Sequence, residues 1–372
     1  MGRILTLLLG ALSCMLSASS LANDFDGTRY EAELLNAAED ISEANWRGAL
    51  RGLDSITDRF PESRIAHLLR AQLLGHMAGQ PAALAYSDTS GLTTISEALQ
   101  EEIKLRWQHR QAVSLQRETL IPEKLLQASS ASAHLLYVDL PAARLYVFKN
   151  DDQRLKPVLS FYVTIGRKGF GKEKEGDLKT PVGIYRLTGY IPGARLHERY
   201  GFGALTTNYP NALDKHLDRT GYGIWIHGTE PGWVNRGPKA SDGCITLSNS
   251  DFEILVTQFE LGPNTPIVID DEPRWLTPQS ISELRNGLLP SINGDPVTGT
   301  SAPLDSSIGW SLHAEQLQPL GFDEIFFYPD RHAQLVTKRL AKSDTRGLIT
   351  IEEYWAKNQA GRWELAFKIP SS

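Results

Sequence analysis

The apolar periodicity of this chain changes once, near His134, and that change constrains the fold more than any other feature. Before it, Trp46, Ala49, Leu50, Leu53, Ile56 and Phe60 recur at helical spacing. Pro61 ends that run, because proline has no N–H to continue the helical ladder. Ile65, Leu68, Leu69 and Leu73 share one face of a second helix, and a third is predicted over 95–111. After His134 the period is two. Leu135, Tyr137 and Asp139 alternate with Leu136, Val138 and Leu140, and Arg144 to Phe148 follows Pro141-Ala142, which predicts a hairpin. Further strands are predicted over 159–165, 183–190, 223–227 and 266–269. Between the last two, Ser250-Asp251-Phe252-Glu253 reads as a capping box opening a helix.

A third texture begins after Pro273. A short helix is predicted over 280–289, a linker rich in Gly, Pro, Ser, Asp and Thr over 293–307, and strands over 324–328, 347–354 and 363–369. The expected fold is therefore multidomain α+β. Residues 23–130 form a helical domain, with a hairpin similar to a tetratricopeptide-type pair but no second copy to make a repeat array. Residues 132–272 form a β-rich domain, 273–307 a helix and linker, and 308–372 a small α+β domain.

The first residues read as a cleavable export signal over 1–22. Arg3 is the charged start, Ile4 to Leu12 the apolar core, and Ser20-Leu21-Ala22 supplies small residues at the cleavage positions. The apolar stretch is short for a bilayer span. The expected location is the periplasm. Cleavage would remove Cys14 and leave Cys244 as the single cysteine, which rules out an internal disulfide. A lone exposed thiol is a liability in an oxidising compartment, so Cys244 is either buried and inert or functional. A net charge of −6 and the absence of a basic stretch argue against nucleic-acid binding. No His/Cys/Asp spacing suggests a metal site, and no cofactor is implied.

Two segments carry the chemistry: Ile224-Trp225-Ile226-His227-Gly228-Thr229 and Ser241-Asp242-Gly243-Cys244-Ile245-Thr246-Leu247. A nucleophilic thiol needs a base, since its free pKa lies near ~8.5. His227 ends a predicted strand and can project at its mouth. Gly243 lets the chain turn beside Cys244 and bring backbone N–H groups toward the sulfur, where they can hold an oxyanion.

His227-Gly228-Thr229 followed by Ser241-Asp242-Gly243-Cys244 resembles the catalytic motif of the L,D-transpeptidases, bacterial cell-wall enzymes. Gly176 to Tyr185, with Thr180-Pro181-Val182-Gly183, and the hairpin bearing Asp139 and Arg144 to Val147 match the same family in order. The resemblance covers 132–272. It implies a mixed β-sandwich and a cysteine acyl-transfer mechanism on peptidoglycan stem peptides. Cys244 is then the nucleophile and His227 the base. Ser241 orients the histidine, and the backbone at Gly243 and Cys244 holds the oxyanion. Gly228, Thr229, Arg236 and Asp242 are expected at the substrate, Arg236 as a bidentate partner for a carboxylate. Asp242 stands where many members have His, and Thr246 where many have Arg. That pattern resembles a divergent Ser-Asp-Gly-Cys branch.

The same dyad serves a transferase or a hydrolase, either an L,D-carboxypeptidase or an amidase cutting peptidoglycan from an outer-membrane lipoprotein. A non-catalytic envelope scaffold, with flanking domains that hold lipoprotein or protein partners, is the reading from another class. The stretch from Gly166 to Lys172 nearly spells a phosphate loop, but Glu173 replaces its Ser or Thr. Lys168 to Lys179 reads instead as a flexible solvated loop. The long insert over 191–223, with Arg195, Tyr200, Phe202, Asn208, Tyr209 and Arg219, is expected to wall the site.

Overall fold

The computed structural model describes residues 26–79, 90–114, 120–293, 317–329, 334–343 and 347–370. The export signal, Cys14 and nearly all of the expected linker lie outside them.

Four helices come first: α1 (Asp26–Ser42), α2 (Trp46–Arg59), α3 (Arg64–Met77) and α4 (Ser90–Ser114). Asn45 caps α2 by accepting from the Gly48 N–H, and Ser63 caps α3 by accepting from the Ala66 N–H. Leu53, Ile56 and Ile65, predicted as core, are buried with Tyr30 and Leu34 of α1 and Leu99 of α4. Helix α1 was not singled out by periodicity, and α4 extends the third expected helix at both ends.

The chain then enters β1 (Ile121–Pro122), β2 (Leu125–Gln127), β3 (His134–Asp139), β4 (Arg144–Asp151), β5 (Arg154–Tyr162), β6 (Ile165–Gly166), β7 (Gly183–Pro192) and β8 (Gly203–Thr207). Helix α5 (Ala212–His216) precedes β9 (Trp225–His227), β10 (Lys239–Ser241) and β11 (Ile245–Thr246). Helix α6 (Asn249–Gln258) leads to β12 (Pro266–Asp270) and β13 (Trp275–Leu276). Helix α7 (Pro278–Ile292) and four long strands follow: β14 (Leu317–Phe327), β15 (Leu335–Ser343), β16 (Gly347–Lys357) and β17 (Trp363–Pro370). The α6 cap is Ser248, whose hydroxyl accepts from the Asp251 N–H, so this helix starts earlier than the Ser250–Glu253 pattern placed it.

The centre is one mixed eight-stranded sheet in the order β11-β9-β8-β7-β12-β3-β4-β5, with β6 and β10 paired beside it. Alternation along β3 and β4 sends Leu136, Val138, Leu145 and Val147 to one face, where Phe252, Ile254 and Leu255 of α6 cover them. It sends Leu135, Tyr137, Tyr146 and Phe148 to the other face. There they share a core with Ile281, Leu288 and Ile292 of α7 and with Ile325, Phe326 and Leu335 of the C-terminal sheet. Strand β2, which the sequence reading left in the helical domain, pairs with β14 at the edge of that sheet. The last residues are thus joined to the central sheet by packing. A buried ion pair between Arg186 of β7 and Glu324 of β14 lies at the same junction.

Strand β15 was not anticipated. Its Lys338 and Arg339 interrupt the apolar pattern yet are buried, with Arg339 bonded to Glu353 at 3.0 Å and Lys338 4.0 Å from Glu324. Charges at core positions survive there because each has a carboxylate opposite.

Candidate active site

Strands β9 and β11 run parallel, with Ile226 opposite Ile245 and His227 opposite Thr246. Cys244 therefore lies level with Trp225, one strand across from the histidine strand. Its thiol donates to the Gly223 carbonyl at 3.3 Å, and the Trp225 backbone N–H donates to the sulfur. Burial pushes the thiol above its ordinary value. Asp242 pushes the same way, while the Trp225 N–H, Arg236 and Lys172 oppose it.

His227 is 6% exposed. Its Nδ1 is 2.6 Å from the Gly228 carbonyl, so Nδ1 carries the proton and Nε2 is the accepting nitrogen. Burial pushes the ring down to about 4, with Arg236 and Arg199 adding to the effect against the Gly228 carbonyl. Near neutral pH the site therefore holds a thiol and a neutral imidazole. The Tyr200 ring meets the His227 ring edge to face at 4.9 Å and lies 5.3 Å from Trp225. Burial raises the Tyr200 phenol, and the charge of Cys244 raises it further. Of the insert residues, Tyr200 is thus packed on the His227 ring.

Ser241 does not contact the histidine. Its hydroxyl donates to the Cys244 carbonyl at 2.6 Å and accepts from the Gly243 N–H at 3.1 Å. This corrects two expectations, because a Gly243 N–H bonded to Ser241 is not a free oxyanion donor. Among the described residues the Cys244 N–H has no hydrogen-bond partner, so it is free to donate. Gly243 has φ +128°, and a Cβ there would lie 2.7 Å from the Lys179 carbonyl oxygen. Only glycine fits that approach.

Thr229 is buried. Its hydroxyl donates to the Trp233 carbonyl at 3.0 Å and its N–H to Asn249, so it builds the loop and offers nothing to a substrate. Gly228 packs against Asn249, whose Oδ1 would lie 2.2 Å from a Cβ at that position. Asp242 pairs with Arg167 at an exposed rim. Arg236 donates to the Ala240 carbonyl at 2.7 Å, lies 3.7 Å from Glu230, and keeps a buried Nε without a partner.

Two polar residues with no assigned role hold these loops. Thr180 is fully buried. Its hydroxyl accepts from the Gly166 N–H and donates to the Gly243 carbonyl, both at 2.9 Å. Asn249 accepts from the Phe202 and Thr229 N–H groups and donates to the Thr229 carbonyl, tying the insert to the histidine loop. The Thr180-Pro181 motif was visible in the sequence, but the bond to Gly243 was not. The 168–179 segment is also built, not a loose solvated loop. Asp177 accepts from the Glu173, Lys174 and Lys179 N–H groups and from buried Lys172. Burial opposes its ionisation, but these donors hold it at about 2. Among the described residues no cluster of three His, Cys, Asp or Glu side chains could hold a metal, and no helix is long and apolar enough to cross a membrane.

Residues 133–269 match the YkuD family model, the L,D-transpeptidase catalytic domain. No curated protein matches the sequence. Two solved structures share the fold. Bd1075 of Bdellovibrio bacteriovorus is 24% identical, with 68% of this chain and 98% of that one covered at a TM-score of 0.53. The helical cell shape determining protein Pgp2 of Campylobacter jejuni is 20% identical, with 66% and 95% covered at a TM-score of 0.52. Both alignments cover nearly the whole of the other chain, so the similarity of fold reaches well beyond the catalytic domain.

Proposed function

We propose that this chain is an exported cysteine acyl-transfer enzyme acting on peptidoglycan stem peptides, with Cys244 as nucleophile and His227 as base. One observation carries this reading. The Gly228 carbonyl holds Nδ1–H and so leaves Nε2 of His227 unprotonated, on a strand paired with the one that follows Cys244. The catalytic domain type supplies the substrate class.

In the proposed mechanism the thiol proton leaves the Gly223 carbonyl for Nε2 of His227 as sulfur attacks the carbonyl of the third stem residue. The Cys244 N–H donates to the oxyanion that forms. Collapse breaks the bond to the terminal D-alanine, whose amine takes the proton from the imidazolium. A ring pushed down to about 4 is a strong acid once protonated, which suits that step. The product is a Cys244 thioester. An amine resolves it by transpeptidation and water by carboxypeptidase action, each giving its proton to His227 and restoring the thiol. Arg236, whose side chain is 20% exposed, is the group proposed for a stem carboxylate. The expected consequence of losing the enzyme is altered cell shape, the property for which the Campylobacter structure is titled.

The test is mass spectrometry of muropeptides after incubation with the full chain. Loss of D-alanine with new cross-linked dimers identifies a transpeptidase, and tripeptide without dimers a carboxypeptidase. Cleavage only of lipoprotein-linked muropeptides identifies an amidase. An unchanged set would contradict the enzyme reading and favour a scaffold.

A further inference from the structure

The segment between the two catalytic residues rests on the helical domain along most of its length. A Cβ at Gly232 would lie 3.5 Å from Glu62. Arg64 stacks on Trp233 at 4.1 Å. Gly237 meets α4 so closely that a Cβ there would lie 2.8 Å from that of Ala98.

Between these contacts Asn235, 2% exposed, enters the helical domain itself. Its Oδ1 accepts from the Ile65 N–H at 3.2 Å, from Tyr30 Oη at 3.1 Å and from Ser63 Oγ at 3.3 Å. Its Nδ2 lies 2.8 Å from Tyr30 Oη and donates to Glu102 at 3.1 Å. Glu102 is fully buried and paired with Arg106 at 2.8 Å. One side chain from the catalytic domain therefore joins α1, the start of α3 and α4. A buried amide must have its hydrogen bonds made, and those of the Asn235 side chain are made to the helical domain.

The next residue is Arg236. Its carbonyl is held from the other side by Tyr162 and Thr164 hydroxyls at 3.1 and 3.3 Å. Its guanidinium donates to the Ala240 carbonyl at 2.7 Å, four residues before Cys244, from where its charge favours the Cys244 thiolate and opposes protonation of His227.

We propose that the helical domain is a working part of the active site: through Asn235 it sets the position of Arg236 against the Cys244–His227 pair. Asn235 is a positioning residue, acting through its neighbour. The substrate role of Arg236 rests on the function proposed above, but its coupling to the thiol does not. The charged groups that act on the thiol are Asp242, Arg236 and Lys172, with the Tyr200 phenol also close. Of these, Arg236 is the one adjoining the anchor.

The experiment is iodoacetamide alkylation of Cys244 across pH in the full chain, for wild type, Asn235→Ala, Arg236→Gln and the double variant. Each single variant should raise the midpoint of alkylation by about half a pH unit, since a cation near the thiol is lost or displaced. The double variant should shift no further than Arg236→Gln alone. Leu53→Ala, a helical-core variant, should lower the melting temperature and leave the midpoint in place. If Asn235→Ala does not fold, Tyr30→Phe weakens the same node and should shift the midpoint the same way. An unmoved midpoint in the Asn235 or Tyr30 variant, or shifts that add in the double variant, would overturn the proposal. With muropeptides, Asn235→Ala should raise KM more than it lowers kcat. If wild type turns over no muropeptide while the alkylation coupling persists, the substrate reading fails and this one stands.

Discussion

The two loops that carry Cys244 and His227, the proposed catalytic pair, are held in different ways. The cysteine loop is fixed inside the catalytic domain. Thr180 locks the Gly243 carbonyl, Ser241 bridges Gly243 and Cys244, and Asp177 cages the adjoining 172–179 turn. The segment after the histidine is fixed from outside, by Asn235 in the helical domain, with Asn249 holding its start. Cys244 is thus held by bonds within the β domain, whereas Arg236, the cation proposed to act on it, adjoins a side chain anchored among the helices. Residues that read from the sequence only as a helical domain are joined to the segment between His227 and Cys244 by buried bonds.

The largest expected effects fall on Cys244 and His227. Cys244→Ala should remove turnover by about 10⁴-fold or more while the protein keeps its melting temperature, read by muropeptide kinetics and calorimetry. His227→Gln should cost about 10³-fold in kcat, the usual scale for a general base.

The histidine loop should also show a pH signature. His227 is lowered from 6.5 to about 4, so the unfolded chain binds its proton first as pH falls. Its contribution to stability is present above 6.5 and is lost between 6.5 and about 4, by roughly 3 kcal/mol. Asp251 is raised by burial from 3.8 to about 6, and its contribution runs the other way, present at low pH and lost as pH rises through that window. The wild-type profile mixes the two. The difference between wild type and His227→Gln in urea unfolding at pH 4.5 and 7 isolates the histidine. Equal differences at both pH values would deny its burial as a neutral ring.

Thr180→Val tests the cysteine loop. It leaves the buried Gly166 N–H and Gly243 carbonyl unpaired, at a cost of about 2 kcal/mol. It should slow alkylation of Cys244 without weakening the helical-domain contacts, so loss of protection in α1 to α4 by hydrogen exchange would contradict the separation of the two loops. The smallest effect is expected for Arg167→Gln. The Arg167–Asp242 pair is more than half exposed, and its loss should cost less than about 0.5 kcal/mol.

Much of the central sheet was legible because it depends on short-range pattern, and the candidate pair stands out for the same reason. His227 and Cys244 sit in compact motifs, and the alternation along Leu135 to Val147 fixes which face is buried. The unread parts depend on partners far along the chain. The Asn235 side chain bonds residues 170 positions away. Lys338 and Arg339 made β15 look polar because Glu324 and Glu353, which balance them, lie on other strands. Ser241 was assigned to the histidine from its motif, but its hydroxyl is engaged by its own loop.

The most direct test of the central claim is the intact mass of the full chain after a brief, acid-quenched incubation with disaccharide-tetrapeptide. The account predicts a covalent increment equal to substrate minus D-alanine, mapped to the peptide bearing Cys244 and absent from Cys244→Ala. D-alanine release that persists in Cys244→Ala, or an increment on any other residue, would contradict it.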